Sequence, residues 1–151
     1  DGTPNGHTIM HFDAGKYELE YRAARKPADY QIRVMAADEV ESGSGAVVYA
    51  NVFNAMPGAV VEWRAGSSGK WQTMKKSTEP DPQFARLYAE EQSLKSAGSL
   101  KWKALTAPMA SPHLWKTALP KDLGPGTWDL QVRCENPNGQ KFFATRIIRV
   151  K

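Results

Sequence analysis

A chain of 151 residues with 41% hydrophobic, 10% aromatic and 24% charged side chains has the composition of one ordinary globular domain, long enough to bury a single core. Twenty basic against 16 acidic residues leave a net charge of +4. The basic residues are scattered in pairs such as Arg25-Lys26 and Lys75-Lys76, and only Lys101-Trp102-Lys103 approaches a basic-aromatic mixture, which excludes nucleic acid as a partner. The one cysteine, Cys134, excludes a disulfide framework. No run nears the roughly 18 apolar residues of a membrane span, so membrane insertion is not expected. The chain opens on Asp1, and a fragment of a longer protein is expected.

The dominant pattern has period two. Tyr17, Leu19 and Tyr21 alternate with Glu18, Glu20 and Arg22, which predicts a strand wet on one face. Residues 7–12 precede it across Asp13-Ala14-Gly15, a connection that closes an antiparallel hairpin. Tyr30, Ile32 and Val34 mark a further strand after Lys26-Pro27. Residues 46–53, apolar almost throughout, predict a central strand covered on both faces. Residues 60–64 and 71–75 flank Gly66-Ser67-Ser68-Gly69 and predict a second hairpin.

One helix is expected, over residues 82–97. Asp81 stands at its cap, Pro82 at the first helical position and Gly98 at the stop, with Phe84, Leu87, Tyr88 and Leu94 roughly on one face. Residues 99–112 have no period and predict a long surface connection pinned by Trp102 and Leu105. Strands follow at 114–119, at 128–134 and at 141–150, the last two joined through Asn136-Pro137-Asn138-Gly139, where Asn138 and Gly139 are expected to take positive φ. Short strands about ten residues apart around one helix predict a mostly β fold. The expectation is an immunoglobulin-like β-sandwich with an N-terminal β-hairpin and one inserted α-helix.

Chemistry-bearing groups are few. His7 and His11 fall on a strand, where roughly 13 Å separates residues four apart, too far to share a metal. His113, between Pro112 and Leu114, is expected to be a hydrogen-bonded structural group. No serine sits in a nucleophile elbow, and Cys134 alternates with apolar residues as a buried filler. The glycine-bearing loops run into strands and so form no phosphate cradle. Glu79, Asp81, Glu90 and Glu91 predict only a solvated acidic helix face.

Trp63 and Trp128 alternate with aliphatic residues and are expected in the core. Trp71, Trp102 and Trp115 stay open as contacts, and two exposed, coplanar rings among them would make a glycan platform. The sites open to ligand or interface contact are thus Trp71, Trp102, His113 and Trp115. No catalytic, cofactor or metal residue is expected.

Several stretches resemble a known family. Asp1-Gly2-Thr3-Pro4-Asn5-Gly6, and then Ala23-Ala24-Arg25-Lys26-Pro27-Ala28-Asp29-Tyr30-Gln31, look like the start of the C-terminal region of calcineurin-like phosphoesterases from bacteria such as the Bacteroidetes. Ser111-Pro112-His113-Leu114-Trp115 is similar to the same domain. So are Leu119-Pro120 with Leu123, Gly124, Pro125 and Gly126, and the closing stretch 139–150. Position 7 departs, with His where the family usually continues with Tyr.

The resemblance implies a non-catalytic accessory domain that packs on or orients an upstream catalytic domain of the same polypeptide. Two divalent metal ions are expected in that catalytic domain, and no cofactor in this chain. The family's metal motifs do not occur here; Gly6-His7-Thr8 begins like one, but Ile9 stands where a second histidine belongs. Residues 1–151 are expected as one C-terminal domain, with the hairpin of residues 1–25 belonging either to the upstream catalytic sheet or to the sandwich of residues 26–151. A periplasmic or cell-envelope location is implied by the resemblance alone. The alternative function is a glycan-binding β-sandwich module of the cell envelope.

Overall fold

The computed structural model describes residues 1–151. Eleven strands and one helix form a β-sandwich with a separate two-stranded hairpin. The hairpin pairs β1 (Gly6–Asp13) with β2 (Lys16–Ala23) in antiparallel register. Its turn is Ala14-Gly15, both at positive φ, 43° and 80°. A two-residue turn of that hand follows the natural twist of the paired strands.

One layer of the sandwich takes the order β3 (Ile32–Met35), β5 (Val47–Val52), β9 (Leu114–Ala118), β8 (Lys75–Lys76), with every pair antiparallel. The other runs β4 (Glu39–Val40), β11 (Lys141–Val150), β10 (Gly126–Glu135), β6 (Val60–Ala65), β7 (Gln72–Thr73). Only its β4–β11 edge is parallel. Inward-facing side chains of both layers, among them Val48, Ala50, Val61, Trp63, Trp115, Leu130, Val132 and Ile148, form one apolar core. Period-two alternation produces this directly, because each strand offers every second side chain to the same interior.

Three expectations need correction. Residues 71–75 are not one strand: β7 pairs with β6 and β8 pairs with β9, in opposite layers. The chain changes sheets at Met74, whose side chain is buried and whose N–H donates to the Val61 carbonyl (2.8 Å). In the Asn136-Gly139 turn only Gly139 has positive φ (84°). Asn136 and Gln140 close a three-residue loop, with Gly139 N–H bonded to the Asn136 carbonyl (2.8 Å), and that geometry needs one left-handed residue, not two. Finally, the 46–53 run is fully covered only in its second half. Ala50, Asn51, Val52 and Phe53 are buried, whereas Val47 is exposed and Tyr49 half-buried near the helix.

The helix α1 (Pro82–Ser96) has the expected cap, proline and glycine stop. Its packing differs from expectation. Leu87 and Leu94 are exposed, Phe84 and Tyr88 only half-buried, and the single buried helix residue is Glu91. The helix belongs to an arm, residues 79–111, that leaves the sandwich after β8 and returns before β9. Its neck is closed by the Pro80–Ala110 bridge and by Ser111 N–H bonded to the Glu79 carbonyl (3.0 Å).

Candidate functional site

The open tryptophans fall in three different surroundings. Trp115 is a core residue, 4% exposed, because β9 lies between β5 and β8 and turns this position inward; the Lys76 ammonium sits 4.5 Å from its ring centre. This corrects its place among the contact residues. Trp71 is half-buried between the guanidinium groups of Arg64 and Arg133, 4.5 and 4.3 Å from its ring. Both arginines are held in turn, Arg64 by Gln131 (2.8 Å) and Arg133 by Glu62 (2.7 Å). The ring thus already serves as a cation–π partner on the sheet surface. Trp102 alone stands open, at 58% exposure. No pair of exposed rings forms a platform, and the glycan reading gains no support. Trp63 is buried and Trp128 packs against the core, donating its indole N–H to the Gly124 carbonyl (2.9 Å).

His113 is the hub of a polar network at one end of the sandwich. The Asn51 amide donates from Nδ2 to the Asp81 carboxylate (2.7 Å) and to the Asp1 carbonyl (3.2 Å), which turns its Oδ1 toward His113. At 2.8 Å, His113 Nδ1–H must donate to that oxygen, leaving Nε2 to accept from the Thr3 hydroxyl (3.2 Å). The neutral ring fits its setting: burial above all, with Lys76 adding to it, pushes the imidazole below its ordinary pKa, and the Asp81 charge opposes. Both ring nitrogens are engaged within the chain. His113 therefore holds structure and has no free nitrogen to offer a substrate.

Asp81 ties this network to the arm. One carboxylate oxygen accepts from Phe84 N–H (2.9 Å) as the helix cap, the other from Asn51, and Arg33 stands 4.0 Å away. Gly2 crosses directly over it. At φ 79° a Cβ on Gly2 would lie 2.2 Å from the Asp81 side chain, so only glycine lets the first residues pass.

Farther along the arm, Glu91 is buried although it is charged. Trp102 Nε1–H donates to one of its oxygens (2.6 Å) and Leu105 N–H to the other. The connection 99–110 is pinned at Trp102 and Leu105 as expected, but by these polar bonds, with both side chains left exposed. The expectation that Glu91 only solvates the helix is corrected. Its signal was in the sequence: Glu91 shares a helix face with Phe84, Leu87 and Leu94, at spacings of seven, four and three. Around this clamp the apolar side chains of Leu87 and Leu94, four and three residues from Glu91 on the helix, and of Trp102 and Leu105, which bond to it, are exposed.

Nowhere do three or more His, Cys, Asp or Glu side chains gather in a way that could hold a metal ion. His7 and His11 are exposed on β1, His11 lying 3.3 Å from Glu20. Cys134 is buried, and burial pushes its thiol up to about 11, which suppresses the reactive thiolate. No helix is long and apolar enough to cross a membrane.

A sequence family described as the C terminal of calcineurin-like phosphoesterase matches residues 1–142. The chain belongs to that family. No curated protein and no solved structure matches it. In this phosphoesterase C-terminal domain the hairpin is fastened to the sandwich along β2. Asn138 donates to the Tyr17 carbonyl (3.3 Å) and Gln140 to the Leu19 carbonyl (2.7 Å). Gln31 accepts from Tyr21 N–H (3.3 Å) and donates to its carbonyl (2.7 Å). Three side-chain amides thus stand where a neighbouring strand would. Tyr21 and Ala23 at the hairpin base pack with Phe53, and the Tyr21 hydroxyl donates to the Pro4 carbonyl.

Proposed function

We propose that this chain is a non-catalytic C-terminal accessory domain of a metal-dependent calcineurin-like phosphoesterase, packing on the catalytic domain and orienting it through the arm. The observation that carries this reading is the set of exposed apolar side chains gathered about Glu91 on the arm, Leu87, Leu94, Trp102 and Leu105, projected from a sandwich whose own core is complete. Apolar patches rimmed by polar residues mark contact sites. The two divalent ions belong to the catalytic domain, outside these residues, and the parent protein sits in the periplasm or cell envelope on the family likeness. The fastening of β2 and the burial of Tyr21 favour residues 1–151 as one unit, hairpin included.

The strand order supports an immunoglobulin-like reading. In that nomenclature β3-β5-β9-β8 follows A-B-E-D and β4-β11-β10-β6-β7 follows A′-G-F-C-C′, with buried Trp63 on the C strand. The docking test is a double substitution, Trp102→Ser with Leu105→Ser, made in the parent phosphoesterase and in this chain alone. Because Trp102 also holds Glu91, the pair Leu87→Gln with Leu94→Gln, exposed helix residues outside the clamp, is made alongside it. That pair is expected to lower the melting temperature of the catalytic domain in the parent with little change in the isolated chain. Equal stability of the parent with and without the substitutions would contradict docking through the arm.

A further inference from the structure

The two edges of the hairpin are treated in opposite ways. Along β2, Tyr17, Leu19 and Tyr21 turn their backbone groups away from β1, and these are capped by Asn138, Gln140 and Gln31. Residues directly opposite in an antiparallel pair share one bonding state. Their partners in register, Phe12, Met10 and Thr8, therefore turn their own N–H and C=O groups outward from β1. No bond to those groups exists in the chain. All eight residues of β1 are exposed. The strand GHTIMHFD carries no proline, lysine or bulge, the devices that ordinarily blunt an open edge.

We infer that β1 pairs edge to edge with β1 of a second copy of this chain. The strand is complementary to itself about Met10. In an antiparallel pair centred there, Met10 faces Met10, Thr8 faces Phe12, His7 faces Asp13 and Ile9 faces His11. The outward-pointing residues Thr8, Met10 and Phe12 supply the bonds of the new ladder. Their exposed side chains lie on one face with Tyr17 and Leu19, so pairing joins two apolar stripes. On the other face each imidazole of His7 meets a carboxylate of Asp13. The result is a four-stranded sheet, which is stable where an isolated hairpin is marginal. Association stops at two copies, since the outer edges of that sheet are the amide-capped β2 strands; a two-fold interface of this kind is closed.

Sedimentation of the 151-residue chain is expected to show a reversible, concentration-dependent dimer. Met10→Pro removes an outward N–H and no bond of the hairpin ladder, and is expected to be monomeric. His7→Asp sets carboxylate against carboxylate at both symmetric positions and is expected to weaken the dimer about tenfold. The exchange His7→Asp with Asp13→His is expected to restore it. Met10→Cys lies at the two-fold, where Cα atoms of a bonded pair stand about 5.5 Å apart and suit a disulfide. It is expected to cross-link on oxidation far faster than Val60→Cys, an exposed control on β6. A wild-type chain that stays monomeric, a Met10→Pro variant that still dimerises, or equal cross-linking of the two cysteine variants would overturn the inference.

Discussion

The sandwich and the arm are held together by different forces. In the sandwich, two layers bury a continuous set of aliphatic and aromatic side chains, and the buried polar side chains, such as Asn51 and Asn136, are few and hydrogen-bonded. In the arm no apolar residue of the helix is buried, and the connection 99–110 is fixed by one carboxylate, Glu91, through Trp102 and Leu105. Burial spread over many side chains is cooperative, whereas a single clamp fails locally. The arm is therefore expected to open locally before the sandwich does.

That contrast can be broken from either side. The largest effect is expected in the sandwich, where Leu130 is fully buried. Leu130→Ala should cost about 3–4 kcal/mol in chemical denaturation, from lost transfer energy and the cavity left behind. Asp81→Ala comes next, at about 2–3 kcal/mol, because it removes the helix cap and takes from the buried Asn51 amide the nearer of its two acceptors. Glu91→Ala should cost only about 1 kcal/mol globally. Its signature is local: amide exchange of the 99–110 segment should accelerate while β5, β9 and β10 keep their protection. Equal loss of protection in arm and sandwich would show that the two regions are not separable.

The smallest effect concerns pH. His113 binds a proton less readily folded than unfolded, because burial and the nearby Lys76 charge disfavour the imidazolium. On acidification the unfolded chain is protonated first. Stability should thus be level above the ordinary value of 6.5 and fall as pH drops from there toward the lower folded value. His113→Gln should flatten this slope in urea titrations across that range. A slope of opposite sign would mean that the folded ring is stabilised as the cation.

What could be read from the sequence followed the range of each signal. Period-two alternation located β2 and β10, and the local signs at Asp81, Pro82 and Gly98 located the helix, since a few neighbouring residues determine each. Two-residue strands such as β4, β7 and β8 carry no period, and the change of sheet at Met74 is a tertiary event. Trp115 kept an open environment in sequence because only its place between β5 and β8 turns it inward. The His113 network joins Asp1, Thr3, Asn51, Asp81 and His113 across the length of the chain, so no spacing could reveal it. Asn51, a lone amide inside an apolar run, carried a sign of a buried hydrogen-bonding residue that went unread. Glu91 in the apolar stripe of α1 was a comparable mark.

The proposed accessory role requires the hydrolytic metal centre to lie outside these 151 residues. Hydrolysis of an aryl phosphate or a phosphodiester by the repurified chain, in Mn²⁺ or Zn²⁺, tests this directly. No turnover above the metal-only background is predicted. Turnover that persists through repurification would contradict it.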